Sequence, residues 1–362
     1  MLYYLSLLFI NDFSYLNVFK YLTFRSGGAL LTSLIFSFLF APFIIRWLKK
    51  NQRHRKTIRE DVPNKHLIKK RGTPTMGGLL ILISFVLSTL LWADTNNSYI
   101  WLVLSITLGF GAIGFVDDYF KLTSKNRKGL KAGTKLIFQF LISSITLFFL
   151  YNLFEYQFIN TLAVPFFKNY LFDLGALFPI FAFLVIIGTS NGVNLTDGLD
   201  GLAIVPVITT AACLAFIAYL VGNKIFSEYL NLFFVAGAGE LSVLSSSLVG
   251  SCLGFLWFNA YPAKIFMGDT GSLSIGAALG SISIIIKHEI VLFIIGFLFV
   301  IETLSVVLQV ASFKLFGKRL FLMSPLHHHF EKKGWNENTI VIRFWILAVI
   351  FALIGLATLK LR

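Results

Sequence analysis

Charged residues and cysteines are scarce in this chain of 362 residues. Only 13% of the residues are charged, whereas 57% are hydrophobic, including 40 phenylalanines, and the mean hydropathy is +0.80. A soluble domain has too little interior for so many apolar side chains, so the composition predicts a polytopic membrane protein. Cys213 and Cys252 both lie inside apolar runs. This position excludes a disulfide framework and suggests small buried residues.

The sequence also lacks internal repeats, low-complexity tracts and a soluble segment, so we expect one integral membrane domain over residues 1–362. Its start lacks the basic region and short apolar run of a removable signal peptide. Apolar runs of about 18–25 residues predict an all-α protein with about ten transmembrane helices. The predicted spans lie near residues 23–47, 73–93, 98–117, 133–152, 172–189, 199–221, 235–258, 271–287, 290–316 and 339–361.

Acidic residues are few, and the basic residues are distributed unevenly. There are 31 Lys and Arg against 17 Asp and Glu, a net charge of +14. The loops after the odd-numbered spans contain 24 of the 31 basic residues, and the termini and other loops contain seven. The positive-inside rule then predicts cytoplasmic odd loops and both termini outside. The excess charge therefore indicates topology and attraction for membrane lipids or substrate phosphates, and argues against a nucleic-acid partner.

Two adjacent carboxylates, Asp117 and Asp118, end the third predicted span, and basic residues that include Lys121 and Lys125 follow them. An Asp at the centre of a membrane span costs roughly 2.5–3.5 kcal/mol. The pair therefore belongs at the membrane edge or in a polar cavity. Carboxylates beside lysines at such an edge suit a metal-bound phosphate better than they suit packing.

A second polar segment, 191–201, is predicted to be the whole loop between spans five and six. Asn191, Asn194, Asp197 and Asp200 recur every third residue, with glycines between them. On a continuous helix this spacing drifts by about 60° per step, whereas a curled loop can direct several side chains inward. The alternative is that Asp197 caps span six with Asp200 in its first turn. Capping does not explain the asparagines.

A third carboxylate motif joins spans seven and eight. Asp269 lies between glycines, just before Thr270 and Ser272, which are candidate caps for span eight. Capping again explains part of the motif. It does not predict three loops on one membrane face that all offer acids and glycines.

Two further segments lie on the same predicted face. Segment 70–78 places cations and glycines at the start of span two, which favours an anion site or, alternatively, a simple helix start. His327, His328 and His329 lie in the last cytoplasmic loop, and their spacing does not match a structural zinc site. Imidazoles there can donate hydrogen bonds to phosphate or sugar oxygens, unless the loop is simply rich in histidine.

Three polar residues lie within or beside apolar spans: Glu240, Glu302 and Gln309. Intramembrane acids are candidates for function. Interhelical hydrogen bonding is the simpler interpretation and the one that we favour.

Taken in order, segments 114–121, 191–201, 266–272 and 325–331 resemble the polyprenyl-phosphate N-acetylhexosamine-1-phosphate transferases. The strings Pro-Leu-His-His-His-Phe-Glu at 325–331 and Gly-Thr-Pro-Thr-Met-Gly-Gly at 72–78 are similar to the branch that transfers phospho-MurNAc-pentapeptide. The resemblance implies a Mg²⁺-dependent enzyme of bacterial cell-wall synthesis in the inner membrane. Together with the distribution of basic residues, this predicts periplasmic termini and an active site on the cytoplasmic face. Its substrates would be UDP-MurNAc-pentapeptide and undecaprenyl phosphate, and its products lipid I and UMP. The oligomeric state stays open, a homodimer included.

The resemblance also implies roles for individual residues. Asp117, Asp118 and Asp269 become the catalytic acids, with Asp269 as the expected Mg²⁺ ligand and the other two as further candidates. A larger set would contact the nucleotide, diphosphate and phospho-sugar: Lys70, Thr75, Lys121, Lys125, Asn191, Asn194, Asp197, Gly198, Leu199, Asp200, Asn259, Phe266, Gly268, His328 and His329. His327 joins the catalytic group. Direct displacement with Asp117 as base, and a two-step route with Asp269 as nucleophile, both stay open.

Two other classes of protein compete with this interpretation. A membrane aromatic prenyltransferase also uses Asn- and Asp-rich loops with Mg²⁺, but it would need a second Asp-rich motif, whereas this chain reads Asp-Asp-Tyr-Phe-Lys at 117–121. A transporter or flippase would place its polar residues near the middle of the bilayer. Here the polar motifs lie at one face.

Overall fold

The computed structural model describes residues 1–52, 72–123, 129–153, 159–165 and 171–360. Over these ranges the chain is mostly helical. The α-helices are α1 (Leu2–Phe9), α2 (Leu22–Gln52), α3 (Gly78–Trp92), α4 (Ser98–Thr123), α5 (Ala132–Leu153), α6 (Phe178–Thr196), α7 (Ile204–Val221), α8 (Lys224–Leu230), α9 (Glu240–Asn259), α10 (Gly268–Ile285), α11 (Glu289–Ile295), α12 (Phe297–Phe316), α13 (Leu326–Lys332) and α14 (Glu337–Ala357).

Short elements accompany these helices. Two 3₁₀-helices span Ser14–Lys20 and Gly175–Leu177, and two antiparallel strands, β1 (Thr161–Ala163) and β2 (Leu171–Asp173), pair with Thr161 opposite Asp173. Strand β1 lies in the predicted loop between spans four and five, whereas β2 overlaps the start of the span predicted near 172–189, and neither strand was predicted. Three-residue strands carry too little alternation to stand out in a sequence.

Eight helices in the described part of the chain are long and apolar enough to cross a membrane. They are α2, α4, α5, the segment Gly175–Thr196 that contains α6, α7, α9, α12 and α14. The expectation of an all-α polytopic membrane protein is therefore confirmed. Two of the ten predicted spans correspond instead to α3, with 15 residues, and to α10, which is less apolar.

Helix α10 lies at the centre of the fold, and 16 of its 18 residues are buried. It packs against α3, α4, α6 and α7. Small residues permit this packing: an added Cβ at Gly276 would lie 2.5 Å from the Cα atom of Ser190, and one at Gly280 would lie 2.9 Å from that of Ile186. Close backbone approach replaces hydrophobic bulk here, which explains why α10 is poor in large apolar side chains.

Helices α2 and α9 pack in the same way at a second interface. An added Cβ at Gly250 would lie 2.1 Å from the Leu30 carbonyl oxygen. At one end of the interface, both Glu240 carboxylate oxygens accept hydrogen bonds from Arg25, at 2.6 and 2.8 Å. Interhelical bonding is therefore confirmed for Glu240.

The predicted span 290–316 is wrong as one helix. The chain forms α11 and α12 with a break at Gly296, whose backbone leaves the helical conformation at φ −96° and ψ 18°. Glycine has one of the lowest helix propensities, so a break in the helix at this residue costs little free energy. The break separates α11 from α12, and Glu302 lies in the second turn of α12.

Candidate active site

Two close backbone approaches set the position of the first turn of α10. An added Cβ at Gly114 of α4 would lie 2.2 Å from the Asp269 carbonyl oxygen, and one at Gly78 of α3 would lie 2.1 Å from the Gly271 nitrogen. Only glycine allows α3 and α4 to come this near. Because Asp117 and Asp118 follow Gly114 by about one helical turn, they lie beside Asp269.

The three acids form a compact cluster. One carboxylate oxygen from each of Asp117, Asp118 and Asp269 lies within 4.8 Å of the other two. Asp117 and Asp118 are almost fully buried, at 0% and 2% exposure. The structure therefore brings together the acids of two segments that are about 150 residues apart in the sequence.

The Asp118 carboxylate binds the N-terminus of α10. Its oxygens accept hydrogen bonds from the Asp269 N–H at 3.3 Å, the Thr270 N–H at 3.0 Å and the Thr270 hydroxyl at 2.8 Å. A carboxylate at a helix N-terminus satisfies unpaired amides and the helix dipole. The expectation that Thr270 or Ser272 caps this helix is wrong, since both lie inside it and the cap comes from α4.

Asp117 faces two lysines. Its Oδ1 accepts a hydrogen bond from the Leu130 N–H at 2.6 Å, and its Oδ2 lies 2.5 Å from Lys121 Nζ and 2.8 Å from Lys135 Nζ. The same ammonium groups lie 2.9 and 2.6 Å from the oxygens of Asp269. Three carboxylates and two ammonium groups leave one excess negative charge.

Lys135 was not among the predicted site residues. Its position in the first turn of α5, at the mouth of a span that follows the acids, is the signal that could have found it. Burial alone would raise the pKa of Asp269, but Lys121 and Lys135 together hold that pKa well below its usual range. Asp269 is therefore a carboxylate at any physiological pH.

This donor set fits Mg²⁺. The ion prefers oxygen ligands and commonly takes one or two carboxylates together with phosphate oxygens and water. The oxygens of Asp269 and Asp117 contact ammonium groups, which a divalent cation can replace. Those of Asp118 are held by the backbone and hydroxyl at the start of α10.

Segment 191–201 begins inside a helix, so its prediction as a loop throughout is wrong. Helix α6 continues to Thr196, because the amide of Asn191 donates to Gln139 Oε1 at 3.0 Å and to the Ile187 carbonyl oxygen at 2.8 Å. The Asn194 amide donates to the Ser272 hydroxyl at 2.7 Å. These hydrogen bonds give the side-chain amides of the two asparagines partners within the helix bundle. They direct Asn191 toward α5 and Asn194 toward α10.

The turn after α6 is braced against the segment before α10. Asp200 Oδ2 accepts a hydrogen bond from the Ala263 N–H at 3.0 Å. Asn259 accepts one from the Gly201 N–H and donates one to the Ile265 carbonyl oxygen. The alternative that Asp197 caps the next helix is wrong, since Asp197 ends α6 and the following helix begins at Ile204 without a side-chain cap.

Leu199 and Gly198 lie in the same turn. Leu199 is 4% exposed and packs in a small apolar cluster with Phe344 of α14. An added Cβ at Gly198 would lie 2.2 Å from His327 Nε2, so the turn contacts the histidine segment.

Segment 72–78 pairs with the residues before α10. The Gly77 and Gly78 N–H groups donate to the carbonyl oxygens of Phe266 and Met267, at 2.8 and 2.9 Å. These two amides are therefore not directed at an anion, and the helix-start interpretation is confirmed for them. Next to this pairing, an added Cβ at Gly268 would lie 2.6 Å from Asp118 Oδ2 and 2.9 Å from the Thr75 hydroxyl. Lys70 and Lys125 lie outside the described residues.

The histidines form α13 rather than a loop. His327 is fully buried, with Nδ1 3.3 Å from Glu302 Oε1. His328 Nδ1 lies 2.6 Å from Glu331 Oε2, and burial lowers the pKa of His328. His329 Nδ1 accepts a hydrogen bond from the Leu322 N–H. Glu331, the partner of His328, was not among the predicted site residues.

Gln309 of α12 has a structural role. Its side chain forms hydrogen bonds with the backbone of Leu320 and Phe321, which follow α12.

Comparison with known proteins identifies the family. Residues 99–287 match glycosyl transferase family 4, and residues 70–82 match signature 1 of the phospho-N-acetylmuramoyl-pentapeptide-transferases. A protein of Granulibacter bethesdensis with the name phospho-N-acetylmuramoyl-pentapeptide-transferase is 58% identical over 362 residues, which is the full length of both chains. The chain belongs to this family.

Membership in the phospho-N-acetylmuramoyl-pentapeptide-transferase family confirms the resemblance that the sequence motifs predicted. The range matched to glycosyl transferase family 4 contains the whole acid cluster together with Lys121 and Lys135. The histidines of α13 lie beyond that range, in the part of the chain that the full-length relative also covers.

Proposed function

We propose that the protein transfers phospho-MurNAc-pentapeptide from UDP-MurNAc-pentapeptide to undecaprenyl phosphate, giving lipid I and UMP. The observation that carries the proposal is the cluster of Asp117, Asp118 and Asp269 with Lys121 and Lys135, in a chain of this family. A donor diphosphate and a lipid phosphate repel one another, so a site that joins them needs cations held in place.

Mg²⁺ fits this site through Asp269, with Asp117 as a second ligand. When bound, the ion would neutralise phosphate charge and polarise a phosphoryl oxygen. Lys121 and Lys135 would then be free to contact the phosphates instead of the carboxylates. Asp118 would serve the site by fixing the start of α10, where Asp269 is located.

We favour direct displacement. An oxygen of the lipid phosphate attacks the sugar-linked phosphorus, the bond from that phosphorus to the bridging oxygen breaks, and UMP leaves with that oxygen. Asp117 accepts the proton of a singly protonated lipid phosphate. In this proposal Asp269 holds Mg²⁺ and does not attack phosphorus, in contrast to the two-step route.

We further propose ten membrane crossings in a bacterial inner membrane, with both termini periplasmic and the acid cluster at the cytoplasmic face. The distribution of basic residues supports this topology, since 24 of the 31 follow odd-numbered predicted spans. The acids lie at the end of α4 and the start of α10, which is compatible with one membrane face.

The experiment is analysis of the lipid product by mass spectrometry. Purified protein in detergent is incubated with Mg²⁺, UDP-MurNAc-pentapeptide and undecaprenyl phosphate. We expect a lipid whose mass equals undecaprenyl phosphate plus phospho-MurNAc-pentapeptide, less one water. A prenylated product without phosphate would favour the prenyltransferase class, and an unchanged lipid would contradict the proposal.

A further inference from the structure

Glu302 connects α12 to the histidine segment. It is fully buried, and its two oxygens accept hydrogen bonds from the Leu326 N–H at 2.7 Å and the His327 N–H at 3.2 Å. These are the first amides of α13, so Glu302 fixes the start of that helix.

The side chain of His327 lies between Glu302 and the turn after α6. Its Nδ1 is 3.3 Å from Glu302 Oε1, and the ring is fully buried. Nε2 faces Gly198, and neither ring nitrogen of His327 has a hydrogen bond within the described parts of the chain.

Gly198 leaves no room between the turn and the ring. An added Cβ would lie 2.2 Å from Nε2 and 2.9 Å from Cε1 of His327. The backbone of Gly198 is not in the left-handed region. The imidazole ring is therefore the obstacle to a larger residue, and its position determines where the turn can lie.

We propose that Glu302 and His327 form a buried positioning pair that holds the Gly198 turn in place for the nucleotide part of the donor. His327 then acts through Gly198 and does not touch the reacting phosphates. In this proposal His327 is a positioning residue and not the catalytic residue that the sequence predicted. His328 is less buried and remains the histidine that would contact the substrate. The inference rests on the proposed function, since the turn is taken to line the nucleotide site.

The first test uses Gly198→Ala, His327→Ala and the double variant. The probe is UMP, whose dissociation constant is measured by calorimetry, together with KM and kcat for UMP release. We expect Gly198→Ala to raise the UMP Kd and the donor KM at least tenfold, with the KM for undecaprenyl phosphate unchanged. In the double variant the His327 ring is absent, so the methyl group that Gly198→Ala adds has room. In the His327→Ala background, Gly198→Ala should therefore raise the UMP Kd less than threefold.

The second test asks whether Glu302 acts through His327. Glu302→Gln should raise the UMP Kd in the parent protein, and should change it less than twofold further in the His327→Ala background. The matched control is Glu331→Gln, the partner of His328, whose effect should be the same in both backgrounds. Melting temperatures in detergent identify variants that are merely unstable, and only folded protein is compared.

Several outcomes would overturn the inference. Additive effects of Gly198→Ala and His327→Ala would remove the contact on which it rests. A loss in kcat for His327→Ala, with KM and UMP Kd unchanged, would make His327 a catalytic residue. A parent protein that binds UMP but forms no lipid product would overturn the proposed function alone, because the UMP Kd values of the variants would still confirm or contradict the positioning pair. A parent protein that does neither would overturn both.

Discussion

The Asp118 carboxylate on α4 caps the helix that contains Asp269, through the N–H and the hydroxyl of Thr270 at 3.0 and 2.8 Å. The adjacent Asp117 instead faces Lys121 and Lys135. The closest partners of the two neighbouring acids thus differ, because successive residues on a helix point about 100° apart. The two acids share Lys121, whose Nζ also lies 3.7 Å from Asp118 Oδ1.

This difference predicts different consequences for the two acids. Asp118→Ala should lower the free energy of unfolding by about 0.5–2 kcal/mol, because the N-terminal cap of α10 is lost. Activity should fall as well, because Asp269 in the first turn of α10 would shift. Asp117→Asn should reduce turnover by about 10² or more with a smaller change in melting temperature. Thermal unfolding in detergent, together with UMP release, measures both. Equal losses of stability would contradict the division of roles.

Lys135 should matter as much as the predicted site residues. Lys135→Met removes an ammonium group that lies 2.8 Å from Asp117 and 2.6 Å from Asp269. Turnover should fall by about 10²–10³, the usual cost of removing one preorganised electrostatic group. Lys131→Met is the matched control, since Lys131 is exposed one turn earlier, and it should stay within about twofold of the parent. The ratio of the two rates of UMP release is the measurement.

Much of this site could be predicted from the sequence, and the reasons for the failures are physical. Asp117, Asp118 and Asp269 were found because carboxylates beside glycines at span ends are unusual. The capping role of Asp118 and the part of Lys135 depend on which helices meet, and that is decided by glycines such as Gly114, whose partner is about 150 residues away. The helix through Asn191 and Asn194 depends on tertiary hydrogen bonds that local spacing does not reveal.

The close approach at Gly114 provides a further prediction. Gly114→Ala places a Cβ 2.2 Å from the Asp269 carbonyl oxygen, so α4 and α10 must separate and both activity and melting temperature should fall. Gly133→Ala is the control in α5, where nothing lies within 4 Å of an added Cβ. This substitution should leave activity unchanged and stabilise the helix by up to about 1 kcal/mol. Normal activity in Gly114→Ala would contradict the packing described here.

The topology can be tested with single cysteines at exposed lysines. Lys131→Cys and Lys318→Cys should react with a membrane-impermeant maleimide only in inside-out vesicles, and Lys224→Cys only in right-side-out vesicles. The native Cys213 and Cys252 are buried and serve as an internal control for unreactive thiols. Labelling of Lys131→Cys from the periplasmic side would place the acid cluster on the wrong face for a cytoplasmic nucleotide donor.

The most direct test of the central claim compares UMP release from two donors by the same purified protein, with Mg²⁺ and undecaprenyl phosphate. A site that hydrogen-bonds groups found on one donor can reject a donor without them by roughly 10⁴-fold. We therefore predict rapid UMP release from UDP-MurNAc-pentapeptide and negligible release from UDP-N-acetylglucosamine. Equal turnover of the two donors, or a preference for the second, would contradict the account.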